Sequence, residues 1–83
     1  MLQLTACWRG GYAGRAGYWL EFAVSHDGHF LDGIAALKAA VPFTDRAYDP
    51  VTRRWWISAD YAPTLTPLIR GLEGYLAQRE LPW

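Results

Sequence analysis

The chain has 83 residues, of which 52% are apolar and 16% aromatic, and its eight basic side chains are balanced by eight acidic ones. This length suits one small domain, and zero net charge argues against a protein that binds polyanions through its total charge, while leaving room for a local basic patch. Cys7 is the single cysteine, which excludes an intramolecular disulfide and a cysteine-based zinc site, so we expect a cytoplasmic protein. No apolar run approaches the roughly 18 residues of a membrane helix, and no membrane partner is expected.

Residues 1–25 predict a β-hairpin with a glycine-rich loop. Apolar residues occupy alternate positions of its first strand: Leu2, Leu4, Ala6 and Trp8. Glycines are dense between residues 9 and 17, which predicts a flexible connection carrying Arg15. In the second strand, alternation assigns three residues to the buried face: Leu20, Phe22 and Val24. Trp19 and Glu21 then lie on the opposite face.

A helix is predicted over 29–41. Its apolar residues recur at helical spacing: Phe30, Ile34, Leu37 and Val41. Asp27 is expected to cap its N terminus, Lys38 to face solvent, and Pro42 to end it.

Residues 44–58 predict a second β-hairpin. Asp49 and Pro50 are typical of a tight turn, in which the Asp side chain accepts a hydrogen bond from a backbone N–H two residues further on. Alternation in the second arm assigns Trp55 and Ile57 to the core. Arg54 and Trp56 are then expected on the open face, beside Trp19.

The last predicted element is a helix over 60–79, capped by Asp60 and followed by a tail over 80–83. Pro67 is expected either to kink this helix or to begin a fresh one capped by Thr66. Its apolar stripe is Leu65, Leu68, Ile69, Leu72 and Leu76. The order ββαββα predicts a single α+β domain over 1–83, a mostly antiparallel four-stranded sheet with two helices on one face.

One part of the sequence resembles a known family. Leu37 and Lys38 lie near the end of the predicted helix, and Arg46-Ala-Tyr-Asp49 leads into the predicted turn. Thr52-Arg-Arg-Trp-Trp-Ile57 follows the turn, and Asp60-Tyr61 and Leu65 come after it. This pattern resembles the HARP (HepA-related protein) domain that accompanies annealing helicases. The resemblance implies recognition of forked or branched DNA without catalysis.

The residues predict no active site, metal or cofactor. Ser25, His26 and Asp27 are contiguous, so their side chains cannot converge as a triad, and His26 with His29 lacks enough further ligands for a metal. We therefore do not expect an enzyme.

Two functions remain open from the sequence. The first is binding of forked or single-stranded nucleic acid, with phosphate contacts and base stacking supplied by Arg46, Arg53, Arg54, Trp56, Trp19, Lys38 and Arg15. The second is a small protein-interaction or self-assembling protein, either a homo-oligomer or bound to a larger partner, that uses the tryptophan-rich open face.

Overall fold

The computed structural model describes residues 2–25 and 28–79, which form one mixed sheet and three helices. The strands are β1 (Leu2–Arg9), β2 (Gly17–Phe22), β3 (Arg46–Asp49), β4 (Arg54–Ser58) and β5 (Ile69–Arg70). The helices are α1 (His29–Ala40), α2 (Ala62–Leu65) and α3 (Leu72–Arg79), and 3-10 turns cover Phe43–Asp45 and Ala59–Tyr61. Within the described ranges, none of the helices has the length and apolar character needed to cross a membrane.

The sheet has the order β3-β4-β2-β1-β5. Its first four strands pair antiparallel, as predicted, whereas β5 pairs parallel to β1 through Leu2 and Ile69. The predicted α+β class is therefore confirmed. The prediction of a four-stranded sheet in ββαββα order is wrong, because the last segment contributes a fifth strand.

The alternation of β1 is interrupted at Thr5. Leu4 pairs with Phe22, but Ala6 pairs with Glu21, so Thr5 is an extra residue without a partner on β2. Such a bulge moves every later side chain to the opposite face of the sheet. The simple alternation predicted for β1 is therefore wrong, and Trp8 leaves the face shared by Leu2 and Leu4.

The core lies between the helices and one face of the sheet. Its sheet residues include Leu20, Trp55 and Ile57, which are buried as predicted. Val24 was expected beside them, but it is 63% exposed because β2 ends at Phe22.

Helix α1 closely follows its predicted range. Leu37 and Val41 are buried, while Phe30 and Ile34 are half-buried at the N-terminal half of the helix. The backbone N–H of Phe30 is satisfied by Ser25 Oγ at 3.2 Å. The predicted cap, Asp27, lies outside the described residues.

The predicted helix over 60–79 is broken in the middle. Pro63 occupies the first turn of α2, and Pro67, which has no N–H to donate, lies in the following turn. The chain then extends as β5, and Gly71, at φ 100°, precedes α3. Neither a continuous helix nor a fresh one at Pro67 forms, and the side chain of Asp60 makes no capping hydrogen bond at the starts described around it. Residues 80–83, the predicted tail, fall outside the described ranges.

Candidate functional site

The sheet face that carries no helix, here called the open face, holds a row of three indoles. Trp8 pairs with Trp19 across β1 and β2, and Trp19 pairs with Trp56 across β2 and β4. Cross-strand partners share a face, so the three rings lie side by side. Sequence reasoning missed Trp8, because the bulge at Thr5 that redirects it leaves no clear mark in the residue pattern.

Trp56 is not available on this face. It is 2% exposed, its Nε1 donates a hydrogen bond to Gly10 O at 2.9 Å, and the Tyr12 ring packs on it at 5.4 Å between centroids. The predicted exposure of Trp56 is therefore wrong. The glycine-rich connection between β1 and β2 folds back over the sheet and covers the indole.

Arg15 links that connection to the turn at Thr44 and Asp45. Its guanidinium donates to Thr44 O at 2.8 Å and forms a salt bridge with the Asp45 carboxylate. The Arg15 hydrogen bond holds the pKa of Asp45 below its usual range. Tyr12 and Arg15 also pair with each other through their backbones. The loop that was predicted to be flexible is thus held both by backbone hydrogen bonds and by the Arg15 side chain. Arg15 already has an acidic partner in Asp45.

Arg54, also on the open face, is engaged by its neighbours. Its Nε donates to Glu21 Oε1 at 2.7 Å, and its Cζ lies 4.5 Å from the centroid of the Trp8 ring. Together with Trp19 and Asp49 it lines a shallow notch of about 190 Å³. Two carboxylates near one guanidinium make this a poor surface for phosphate.

A larger groove opens on the helix side of the sheet, between the N-terminal half of α1 and the β3–β4 hairpin. We call this groove the α1–hairpin cleft, and Lys38 lies beside it, over the Trp55 ring. The groove has a volume of about 500 Å³. Its lining is Thr5, Glu21, Phe22, Val24, Phe30, Leu31, Ile34, Tyr48, Thr52, Arg53 and Trp55.

The cleft combines aromatic rings with cations. Tyr48, 46% exposed, packs on Trp55 with ring centroids 4.9 Å apart. Lys38 Nζ lies 5.7 Å from the centroid of the Trp55 ring, and Arg53 lines the groove. In the part of the chain that the structure describes, neither Lys38 nor Arg53 forms a salt bridge. Both charges therefore remain open to an anionic ligand.

The turn at the hairpin tip holds Arg53 in place. Asp49 Oδ1 accepts a hydrogen bond from the backbone N–H of Val51 at 2.9 Å, as predicted, and this bond leads the effects that lower the pKa of Asp49. Arg53 closes the turn, donating its own N–H to Asp49 O at 2.7 Å. It adopts a φ of 58°, which is uncommon for a residue with a side chain.

The structure divides the predicted site residues between the two faces. Arg53 lines the α1–hairpin cleft, and Lys38 lies over the Trp55 ring at its side. Arg46 points to the helix side, where its Nε donates to Val41 O at 2.9 Å. Trp19 and Arg54 lie on the open face instead. Sequence reasoning gave no indication that Tyr48 and Trp55 would form the floor of a groove.

Comparisons with known proteins identify no relative of this chain. No protein-family model, no curated protein and no solved structure matches the chain. Among the described residues, no three His, Cys, Asp or Glu side chains are grouped so that they could hold a metal ion.

Proposed function

We propose that this chain is a non-catalytic nucleic-acid-binding module that holds single-stranded or forked nucleic acid in the α1–hairpin cleft. One observation carries the proposal. Tyr48 and Trp55 form an aromatic floor in the groove that Arg53 lines, Lys38 lies over the Trp55 ring, and neither cation forms a salt bridge in the described ranges. The resemblance to the HARP domain, which spans Lys38, Tyr48 and Arg53, supports the same conclusion.

Aromatic rings and open cations serve the two parts of a nucleotide. Every base has a π-face, so a partly exposed ring such as that of Tyr48 binds unstacked bases with little regard to sequence, contributing about 1–3 kcal/mol per base. Lys38 and Arg53 then attract the phosphates on either side of the stacked base. Bases inside an intact duplex are not exposed in this way, which favours single strands and forks.

The cleft replaces the open face as the binding surface. Trp56 is covered, Arg15 is paired with Asp45, and Arg54 is paired with Glu21. A phosphate at Arg54 would meet the negative charge of Glu21 and Asp49, whereas neither Lys38 nor Arg53 forms a salt bridge among the described residues.

The test is binding of a fluorescently labelled fork and of a labelled single strand, measured by anisotropy at low and moderate salt. Lys38→Ala and Arg53→Ala should each weaken binding and reduce the slope of log affinity against log salt by about 0.7–0.9, the value for one lost phosphate contact. Tyr48→Ala should weaken binding without changing that slope. Circular dichroism checks that each variant is folded.

Arg70→Ala provides the matched control, because Arg70 is an exposed arginine on β5, at the other edge of the sheet. It should bind like the unaltered chain. Equal losses for Arg70→Ala and Arg53→Ala would mean that binding follows total charge, and an absence of binding to both oligonucleotides would refute the proposal.

A second candidate function is association with a protein partner or a second copy through the open face. It is favoured by Trp8 and Trp19, half-buried rings beside Arg54, because tryptophan and arginine are frequent hot-spot residues of protein interfaces. Light scattering over a concentration series tests it. A mass above that of the monomer that Trp8→Ala removes would support this function, and a constant monomer mass would refute self-association.

A further inference from the structure

The α1–hairpin cleft has the dimensions of a site for one flat ring. Its volume of about 500 Å³ lies within the range of roughly 300–1,000 Å³ found for small-molecule pockets. Tyr48 and Trp55 form its aromatic floor, and Leu31 and Ile34 line it from α1. A base that enters the groove therefore meets an aromatic surface on the hairpin and aliphatic side chains on the helix.

Two aliphatic side chains of the groove are exposed to solvent. Val24 is 63% exposed, just beyond the end of β2, and Leu31 is 70% exposed, in the first turn of α1. Exposed apolar surface that lines a groove is typical of binding sites, because an occupant that covers it removes that surface from water. Val24 and Leu31 thus provide apolar surface for the edge of a bound base.

The polar side chains at the groove leave the choice between bases to apolar contacts. Thr5 and Thr52 line it, and a hydroxyl both donates and accepts hydrogen bonds. Glu21 borders the groove too, but its carboxylate accepts from Arg54 Nε at 2.7 Å, and Arg54 lies on the open face. Arg53, which forms no salt bridge among the described residues, carries the charge that suits a phosphate.

We propose that this groove takes one unpaired thymine base and that Val24 and Leu31 select thymine over uracil through its C5 methyl group, so that the cleft favours DNA over RNA. This inference rests on the proposed function, since it names the base that enters the same cleft. A thymidine nucleotide offers a complement to each part of the groove. Its ring stacks on Tyr48, its phosphate lies at Arg53, and its methyl group contacts the exposed aliphatic side chains.

The chemistry of the two bases isolates this contact. Thymine and uracil have the same ring N–H and the same two carbonyl oxygens, and they differ by the methyl group alone. Hydrogen bonds and phosphate contacts therefore contribute equally to the binding of both. Apolar contact with the methyl group is one of the ways in which proteins read thymine.

The experiment compares oligodeoxythymidine with oligodeoxyuridine of equal length, at fixed salt, by anisotropy. The two strands have the same sugar and the same charge. The unaltered chain should bind oligodeoxythymidine roughly three- to fourfold more tightly, the effect of burying one methyl group. The double variant Val24→Thr/Leu31→Asn replaces both exposed aliphatic side chains with polar ones of similar size and should bring the ratio close to one. Each single variant should lower the ratio part of the way.

Val51→Thr is the matched control. It makes the same kind of change at an aliphatic residue that is 89% exposed in the turn of the hairpin, away from the residues that line the groove. The preference for oligodeoxythymidine should therefore persist in this variant. Circular dichroism checks that every variant is folded.

Each outcome separates the inference from the proposed function. Equal binding of both strands by the unaltered chain would overturn the inference and leave the proposed function standing. A preference that survives the double variant would do the same, because it would come from stacking alone, and so would a preference lost in Val51→Thr. If neither strand binds to the unaltered chain, the proposed function fails, and the inference falls with it.

Discussion

Trp56 offers the sharpest test of the packing, because its burial depends on the loop that covers it. The indole is 2% exposed, contacts Tyr12 and donates to Gly10 O. Trp56→Ala removes the largest of the fully buried side chains, and such truncations cost about 3–5 kcal/mol. At about 0.05–0.15 kcal/mol per residue, the whole domain has a free energy of unfolding of roughly 4–12 kcal/mol. The substitution should therefore remove about a quarter or more of the stability, or unfold the chain.

Trp56→Phe separates the hydrogen bond from the burial of the ring. It keeps an aromatic ring under Tyr12 but leaves the Gly10 carbonyl without its donor, which should cost about 1–2 kcal/mol. Trp19→Phe is the matched control, since its indole N–H has no acceptor among the described residues and the side chain is only half-buried.

The assay is urea unfolding followed by far-ultraviolet circular dichroism, because fluorescence from five tryptophans would not isolate one of them. A free energy of unfolding for Trp56→Ala within about 0.5 kcal/mol of the unaltered chain, the range of ordinary surface substitutions, would refute the packing of the loop on the sheet.

Two further predictions concern substitutions at two separate helical glycines and the ion pair between Arg15 and Asp45. A Cβ at Gly33 would lie 2.7 Å from Leu2 Cγ. The overpacking in Gly33→Ala, about 1–3 kcal/mol, should exceed the helix-propensity gain of about 1 kcal/mol and lower the melting temperature. Gly74 has open space around it, so Gly74→Ala should raise the melting temperature. Because the folded-state pKa of Asp45 is lowered, its pairing with Arg15 stabilises the fold above about pH 4, the unfolded value, and this contribution disappears as the pH falls through the lowered pKa. The melting temperature of Asp45→Asn should thus lie below that of the unaltered chain at neutral pH and converge with it in acid; a constant difference would contradict this assignment.

Local chemistry determined several elements from the sequence alone. The Asp49-Pro50 turn follows from a side chain that bonds its own backbone and a ring that fixes φ, so no distant residue is needed. The range of α1 follows from helical spacing ended by Pro42, and the burial of Trp55 and Ile57 follows from strand alternation against a core. The resemblance to the HARP domain and the binding roles of Lys38 and Arg53 stay predictions.

Tertiary structure decided the features that local rules do not encode. The bulge at Thr5 arises from how β1 pairs with β2, and it alone brings Trp8 to the open face. Trp56 is buried by a loop whose position depends on Arg15 reaching the Thr44–Asp45 turn, a contact across about thirty residues of chain.

The segment that was predicted as one helix over 60–79 shows most clearly what residue spacing alone does not determine. The spacing of Leu65, Ile69 and Leu72 fits a single helix, yet they are buried on three separate elements, α2, β5 and α3, because β5 pairs with the edge of β1 after the turn at Pro67. Alternation by itself assigns each side chain to a face of its own strand. Whether that face stays open depends on long-range packing, and for this reason we propose the α1–hairpin cleft, not the open face, as the site.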